Sequence, residues 1–432
     1  MSLESRLLTA LIPQRHAPAW WIAYSGGLDS CVLLHLLVRL ARQQSLPPIS
    51  AIHVHHGLQS GADAWAEHCH ETCRALGVPL EVVRVRVADS ASLENAARKA
   101  RYAAFEGRLG EGEVLLTAQH RDDQAETMLF RLLRGAGLKG LAAMPPARAL
   151  RRGRLVRPLL DVSRAELEAW ARAEGLSWIE DPSNASLDHS RNYLRHQVFP
   201  VLEQRWPAAT ASMARAAGHL AEAQELLDEL AELDLASAAA TPPFAWLGLP
   251  NLGMAPLRAI SDARQRNALR HWLRSHVQLP DADHWAGWCD LRDAVVDAAP
   301  VWRLDRAELR RAGDRLWLLR GAWLQAPPPP DVTSPHGEIK LVGNGRVRIG
   351  DEVGDGVRLG YRQGGEWLQL AGRGRRDLKR VLNEWGIPGF VRPRLPLLLR
   401  DDEVVAVANL GDLTGSGIVL DWHPPTGDGR LS

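Results

Sequence analysis

Short apolar segments alternate with longer amphipathic segments along the first half of the chain. The longer segments repeat their apolar residues about every 3.6 positions, as helices do. Four of the short segments are typical of strands: WIAYS (21–25), ISAIHVHH (49–56), LEVVRVRV (80–87) and EVLLTAQ (113–119). RLVRPLL (154–160) indicates a fifth strand, and the next helix begins with a capping box of Ser163 and Glu166. This alternation predicts an α/β fold with a doubly wound parallel sheet, whose ligands bind at the carboxyl ends of the strands.

The pattern changes after residue 204, where an apolar stripe at helical spacing runs between charged positions. The stripe consists of Met213, Ala216, Ala217, Leu220, Ala223, Leu227, Leu230 and Leu233. Residues 205–325 are therefore expected to form a mainly helical domain after an α/β domain at 1–204. The proline-rich segment 326–335 is expected to be a linker. Strand-like segments and one helix-like segment, RRDLKRVLNEWG, predict a small α/β domain at 336–432.

The composition, 46% hydrophobic and 24% charged over 432 residues, is that of a soluble globular protein. A net charge of +1 argues against a uniformly basic nucleic-acid binder but allows local basic faces. No apolar run has the length of a membrane span and the N-terminus does not resemble a signal peptide, so we expect a cytoplasmic protein without membrane contact. The four scattered cysteines are expected to be reduced thiols.

Candidate chemistry lies first in the segment SGGLDS, from Ser25 to Ser30, between the first strand and the first helix. Unpaired N–H groups at a helix N-terminus favour phosphate, and Gly26 and Gly27 allow a close approach of the backbone. The hydroxyls of Ser25 and Ser30 add donors. Asp29 would repel bare phosphate, so a bound Mg²⁺ is expected beside it.

Two other interpretations of this segment stay open. A segment rich in serine and glycine is often a plain turn. Alternatively, Ala23 to Gly27 nearly fits the nucleophile elbow of a serine hydrolase, with Ser25 as the nucleophile. The segment lacks the lysine of a Walker loop, which argues against γ-phosphate transfer.

SGGLDS after a first strand resembles the pyrophosphate-binding loop of the N-type ATP pyrophosphatases, the PP-loop superfamily with the adenine nucleotide alpha hydrolase-like fold. These enzymes cleave ATP between the α and β phosphates. Further motifs resemble the bacterial tRNA(Ile)-lysidine synthetase family: HVHHGLQSGADAWAEHCHETC, LENAARKARYAAF, LLTAQHRDDQAETMLFRLLRGAGLKGLAAMPP, RPLL and EDPSNASLDHSRNYLRHQVFPVL. The resemblance covers nearly all of residues 20–205 and continues more weakly into DARQRNALRHWL and GRGRRDLKRVLNEWGIPGFVRPRLPLL.

The resemblance implies an ATP-dependent ligase that joins L-lysine to C2 of the wobble cytidine in the CAU anticodon of tRNA(Ile). The reaction would pass through an adenylated cytidine and give lysidine, AMP and pyrophosphate. ATP and Mg²⁺ are the implied cofactors, and tRNA(Ile) and lysine are the partners. The sequence leaves the choice between a monomer and a homodimer open.

The resemblance also implies site residues. Asp123 and Glu126, three positions apart and so on one helical face, correspond to the family's catalytic acids, and Arg101 to its active-site arginine, with Arg98 a weaker candidate. Asp29 is expected both to take part in catalysis and to bind the metal ion. The residues assigned to ATP binding are Ser25, Gly26, Gly27, Leu28, Asp29, Ser30, His53 and His55. The chain departs from the family at Gln119, where a histidine is usual, and the segment from Asp181 to Arg195 has no role that the sequence reveals.

Three alternatives follow from the remaining residues. The histidines and cysteines between His53 and Cys73 fit no common structural zinc pattern. A tRNA thiolase is disfavoured because the chain has no Cys-x-x-Cys. A non-catalytic RNA-binding protein stays open, since arginines and lysines cluster at 148–157, at 264–274 and at 373–394.

Overall fold

The computed structural model describes residues 1–57, 59, 61–87, 93–239, 242–278, 283–295, 298–330, 332–350, 353–354, 356–401 and 403–426. The chain divides into two units, Met1–Glu225 and Leu226–Ser432. Within the described residues, no helix is both long and apolar enough to cross a membrane. The domain limits expected at 204, 326 and 335 stay predictions.

A six-stranded sheet organises the first unit, in the order β3-β2-β1-β4-β6-β5. Its strands are β1 (Trp20–Ala23), β2 (Ile49–His55), β3 (Leu80–Arg84), β4 (Val114–Leu116), β5 (Ala147–Leu150) and β6 (Gly153–Val156). All five strands expected from the sequence are present and parallel, and β5 adds an antiparallel hairpin to β6. The strand order reverses between β1 and β4, where sheets of this class bind their ligands.

Helices cover both faces of this sheet. They are α1 (Leu3–Leu11), α2 (Leu28–Gln43), α3 (Ala62–Leu76), α4 (Leu93–Arg108), α5 (Arg121–Leu132), α6 (Leu138–Leu141), α7 (Arg164–Ala173), α8 (Ser190–Tyr193) and α9 (Phe199–Arg205). Side chains of β1 alternate between the faces: Trp20 and Ile22 share a core with α2, and Trp21 packs with Phe105 of α4. This doubly wound arrangement confirms the predicted fold class. Helix α10 (Ala209–Ala238) runs from the first unit into the second.

The segment expected to be mainly helical also contains a four-stranded antiparallel sheet, in the order β7-β10-β9-β8. Its strands are β7 (Asn251–Gly253), β8 (Val301–Leu304), β9 (Ala307–Ala312) and β10 (Arg315–Arg320). Three helices accompany them: α11 (Met254–Arg258), α12 (Asp262–Leu273) and α13 (Ala286–Asp293). The expectation for this segment was therefore incomplete.

The described residues from 332 onward form two further sheets and one helix, and the first strand lies within the segment expected to be a linker. The elements are β11 (Val332–Thr333), β12 (Gly337–Lys340), β13 (Arg346–Ile349), β14 (Arg358–Gly360), β15 (Trp367–Leu370), β16 (Gly374–Asp377), α14 (Leu378–Glu384), β17 (Leu397–Arg400), β18 (Glu403–Val407) and β19 (Leu420–His423). The sheet orders are β11-β14-β17-β18-β15-β16 and β12-β13-β19.

The two sides of the proline-rich segment share one hydrophobic core. Trp317 and Trp323, from before it, pack in the same cluster as Leu398 and Trp422, from after it. Arg394 is 3% exposed, donates to the carbonyls of residues 322 and 325 at 3.0 Å, and places its guanidinium 4.5 Å from the centre of the Trp323 ring. Arg394 is thus a structural residue, and its predicted membership of an RNA-binding cluster is wrong.

Candidate active site

The loop between β1 and α2 is ordered by its own hydroxyl groups. Ser30 Oγ accepts a hydrogen bond from Ser25 N at 3.2 Å, lies 3.0 Å from Ser25 Oγ, and donates to Gly27 O at 2.9 Å. Helix α2 begins after Gly27, which supplies no side-chain cap. The N–H groups of its first turn therefore keep the capacity to bind an anion such as phosphate.

Gly26 adopts the left-handed backbone conformation in this loop, with a φ of 82°. A Cβ atom at this position would lie 2.5 Å from Ile179 Cδ1 and 2.9 Å from Cys69 Sγ. Its carbonyl accepts hydrogen bonds from Ile179 N at 2.9 Å and from Cys31 Sγ at 3.2 Å. Backbone conformation and close packing both require glycine here.

Asp29 projects from the first turn of α2 toward cationic groups. Its Oδ2 lies 3.7 Å from His120 Nε2 and 3.9 Å from Arg164 Nη1. Its Oδ1 is buried and has no hydrogen-bond partner among the described residues. Burial raises the pKa of Asp29, although His120 and Arg164 oppose this. A buried carboxylate oxygen without a partner, beside a phosphate-binding loop, fits Mg²⁺, which takes oxygen ligands.

His120 lies at the centre of three carboxylates at the start of α5. It is 1% exposed, and its ring nitrogens lie 3.5 Å from Asp123, 3.6 Å from Asp122 and 3.7 Å from Asp29. Burial alone would lower the pKa of His120, but these three carboxylates outweigh burial and raise it. Protonation of this imidazole would offset part of the negative charge of the site.

Arg195 joins the two acids of α5 that the resemblance singles out. Its Nε donates to Glu126 Oε1 at 2.6 Å, and its Nη2 donates to Glu126 Oε2 at 3.0 Å and to Asp123 Oδ1 at 3.2 Å. Glu126 is 3% exposed, and burial raises its pKa although Arg195 opposes this. Asp123 and Glu126 thus lie together on one face of α5, with Glu126 the deeper of the two.

A cavity of about 1070 Å³ opens at the carboxyl ends of the strands, beside the loop and the acids. Residues 178–185 and Arg195 form another wall of it. The structure brings most of the predicted site residues to its lining: Ser25, Gly27, Leu28, Asp29, Ser30, His53, His55, Arg101 and Asp123. Gly26 and Glu126 lie behind the lining.

The end of β2 contributes His53 and His55, both 6% exposed. His53 Nδ1 lies 3.0 Å from the Tyr24 carbonyl, and burial lowers the pKa of His53. His55 Nε2 lies 3.2 Å from Asp63 Oδ1. Arg101, on the exposed face of α4, is close enough to His56 to lower the pKa of that histidine, after the larger effect of burial.

The cysteines near these histidines belong to the core. Cys69 and Cys73 are buried on α3, and burial raises the pKa of Cys73 to about 12. Burial also raises the pKa of Cys31 to about 11. None of the four cysteines, all of which the structure describes, lines the cavity.

Sequence reasoning found no role for the segment from Asp181 to Arg195, yet this segment builds one wall of the cavity. Asp181 Oδ1 accepts from Ser183 N at 2.8 Å, and Asn192 Nδ2 donates to Ser183 O at 3.0 Å and to Ser186 O at 2.9 Å. These bonds order the chain before Arg195. The resemblance of DPSNASLDHSRNYLR to the family was the signal for this segment, but it did not indicate which acids Arg195 contacts.

Gln119 also lines the cavity, at the carboxyl end of β4. Its Oε1 accepts a hydrogen bond from Thr117 Oγ1. This is the position where the resemblance leads one to expect a histidine. The neighbouring His120 is buried among the carboxylates.

Three family models match separate parts of the chain. A PP-loop domain model matches residues 2–202, a TilS substrate binding domain model matches residues 252–317, and a TilS substrate C-terminal domain model matches residues 357–415. The tRNA(Ile)-lysidine synthase of Pseudomonas syringae pv. tomato is 59% identical over 100% of this chain and 98% of its own length. The protein of the same name from Pseudomonas aeruginosa is 58% identical over 100% and 99%, and that from Escherichia coli O157:H7 is 40% identical over 92% and 93%. The chain belongs to the tRNA(Ile)-lysidine synthase family.

Proposed function

We propose that this chain uses ATP to join L-lysine to C2 of the wobble cytidine in the CAU anticodon of tRNA(Ile). The cytosine O2 attacks the α-phosphate of ATP, and pyrophosphate leaves. The ε-amine of lysine then attacks C2, and AMP leaves with the O2 atom. The observation that carries the proposal is the position of the acidic cluster of α5 beside the phosphate-binding loop, in one cavity of a lysidine synthase family member.

The first step needs groups that hold the triphosphate and offset its charge. The N-terminus of α2 and the hydroxyls of Ser25 and Ser30 supply donors for phosphate oxygens. Asp29 would hold Mg²⁺, which when bound neutralises charge on the leaving pyrophosphate. Arg101 adds positive charge at the cavity, and His120 adds more when it is protonated.

The second step needs a site for an ammonium group. Asp123 lines the cavity, and Arg195 holds it in place together with Glu126. A carboxylate fixed in this way attracts the lysine side chain and aligns its amine. Since Glu126 is buried behind Asp123, we assign Glu126 to the positioning of Arg195 and Asp123.

Two alternatives from the sequence have no support in this geometry. Sulfur transfer requires reactive thiols, whereas Cys31, Cys69 and Cys73 are buried behind the loop with raised pKa values. A serine hydrolase requires a histidine beside its nucleophile. Ser25 Oγ instead contacts Ser30 Oγ and Gly27 N in the described part of the chain.

Contact with tRNA is proposed for the exposed basic residues of the second unit. Arg373, Arg375, Lys379 and Arg380 are exposed around β16 and α14, and the guanidinium of Arg375 lies 4.1 Å from the centre of the Trp367 ring. Cations on such a surface suit the phosphates of a folded RNA. Arg157, from the first basic cluster, is 5% exposed and donates to Pro145 O, so it is excluded from this role.

The test is pyrophosphate release by the purified protein with ATP, Mg²⁺ and lysine, with and without unmodified tRNA(Ile) bearing a CAU anticodon. We expect release that depends on this tRNA and lysidine in the product. Asp123→Asn should abolish lysidine formation. Glu168→Gln, in an exposed ion pair on α7, is the matched control and should leave both activities intact. Release without dependence on the tRNA would contradict the proposal.

A further inference from the structure

The chemical problem that the proposed function leaves open is how the site tells cytidine from uridine. The two bases share the reacting C2–O2 group. They differ at N3, which in cytosine is a hydrogen-bond acceptor and in uracil carries a hydrogen, and at the group on C4. Enzymes that act on an extruded base read it through hydrogen bonds to this edge.

Gln119 lies where such a contact is needed. Strands β1 and β4 are parallel neighbours, with Ile22 opposite Leu116, so the residues three positions later, Ser25 and Gln119, leave the sheet at the same edge. Ser25 begins the phosphate-binding loop, and Gln119 immediately precedes His120 and lies four residues before Asp123. Both Gln119 and Asp123 line the cavity. A base that binds in this cavity with its O2 toward the loop can present N3, which is bonded to the same C2 atom, to Gln119.

Thr117 lies on the Oε1 side of the Gln119 amide. Thr117 is 5% exposed and has a single hydroxyl hydrogen, which it donates to Gln119 Oε1 over a contact much shorter than the 3.4 Å to Val156 O. With Thr117 on the Oε1 side, the Nε2 group, a donor only, is the end of the amide turned away from Thr117 and available to a ligand. A donor in this position pairs with an acceptor and is left unpaired against another donor.

We propose that Gln119, oriented by Thr117, is a specificity residue that donates from Nε2 to N3 of the target cytosine. The inference rests on the proposed function. Uracil would bring its N3–H against the Nε2 hydrogens and leave both donors without partners. A polar site built for one hydrogen-bonding pattern rejects the wrong one strongly, so this contact should favour cytidine by roughly tenfold to a hundredfold.

The proposal accounts for the exchange at this position. A neutral histidine also offers one N–H donor, so glutamine retains the contact while giving up the ability to carry a proton. Proton-carrying groups remain in the buried neighbour His120, with its three carboxylates. Gln119 thus contacts the base, and the adjacent His120 offsets the charge of the carboxylates.

The experiment compares two tRNAs that differ only at the wobble base, C or U, by single-turnover pyrophosphate release with the full-length protein. Gln119→Glu keeps the shape but replaces the donor with acceptors, and we expect the ratio of cytidine to uridine rates to fall at least about tenfold. Any general effect of the new charge acts on both tRNAs and cancels in the ratio. Gln119→His should retain the ratio. Thr117→Val, which frees the amide to turn over, should lower the ratio while retaining activity on cytidine.

A substituted tRNA, combined with a second variant of Gln119, tests the same contact from the side of the base. In 3-deazacytidine the N3 acceptor is replaced by C–H. The loss in rate from cytidine to 3-deazacytidine should be larger in the wild-type protein than in Gln119→Ala, since intrinsic reactivity cancels between the two proteins. An unchanged C-to-U ratio in Gln119→Glu, or equal losses in this cycle, would overturn the inference. Absence of release from the wild-type protein with the cytidine tRNA would instead refute the proposed function on which it rests.

Discussion

The pair of Arg195 and Glu126 allows a prediction of stability that follows from burial. Glu126 is 3% exposed and accepts two hydrogen bonds from a guanidinium that is itself 28% exposed. Arg195→Met keeps an aliphatic side chain of similar reach but leaves the carboxylate without its cation. Removal of one partner of a buried pair costs about 3–5 kcal/mol, and partial access of water to this site places our expectation near 3 kcal/mol at pH 8.

The pH dependence of this loss has a definite sign. Burial already raises the pKa of Glu126 and Arg195 opposes that rise, so the variant has a still higher pKa. A carboxyl group whose pKa is higher in the folded than in the unfolded protein reduces stability above that pKa and has no such effect once both states are protonated. The difference between variant and wild type should therefore shrink as the pH falls from 8 through the raised pKa of Glu126.

The assay is urea unfolding followed by circular dichroism at pH 8 and at pH 5.5. Arg191→Met is the matched control, because Arg191 lies one turn earlier and donates to the neutral Thr127 Oγ1 at 3.1 Å. It should cost about 1 kcal/mol at both pH values. Glu126→Leu combined with Arg195→Met should recover most of the stability without activity, since the buried carboxylate is removed together with its cation. Equal losses for the two arginine variants, or a loss independent of pH, would refute the reasoning.

Three further predictions concern the phosphate-binding loop and the cysteines packed behind it. Gly26→Ala should destabilise the protein by about 2 kcal/mol and raise the KM for ATP. Gly27→Ala should change both quantities less, because no atom of another residue lies closer than 3.5 Å to the added Cβ. Thermal unfolding and steady-state kinetics check both expectations. Asp29→Asn should abolish pyrophosphate release yet raise the melting temperature in metal-free buffer, because burial raises the pKa of Asp29 and its charge costs stability above that pKa. Cys31, Cys69 and Cys73 should react with Ellman's reagent at pH 8 only after unfolding, and rapid labelling of more than one thiol in the native protein would contradict the buried cluster.

Much of the first unit could be predicted from the sequence because its signals are local. Apolar runs of strand length and the glycine and serine residues after Tyr24 mark β1 and its loop without any tertiary information. The family resemblance, carried by several separate motifs, is confirmed by the full-length relatives. The roles of individual site residues stay predictions until the variants are measured.

The elements that were missed lack local signals. In the turn between β5 and β6, Arg151 has a φ of 51°, a conformation that glycine or asparagine usually adopts. The residue type at this position therefore does not indicate a hairpin. In β9, Arg311 points inward and is only 8% exposed. Its guanidinium donates to four carbonyls near the end of α13. A charged residue on the buried face hides the two-residue period of a strand. Arg195 and Glu126 are 69 residues apart in the sequence, so no rule about local residue spacing predicts their contact.

The shared core of the second unit determines how the protein responds to cleavage or truncation at the proline-rich segment. A protease that cleaves at the prolines before residue 331 would nick the chain without releasing a fragment, because Trp317 and Trp323 would still hold both pieces together. A truncation at the same point would instead leave these indoles in water and the product prone to aggregation. The proline-rich segment is therefore a boundary in composition but not a joint at which the tail can be exchanged as a module.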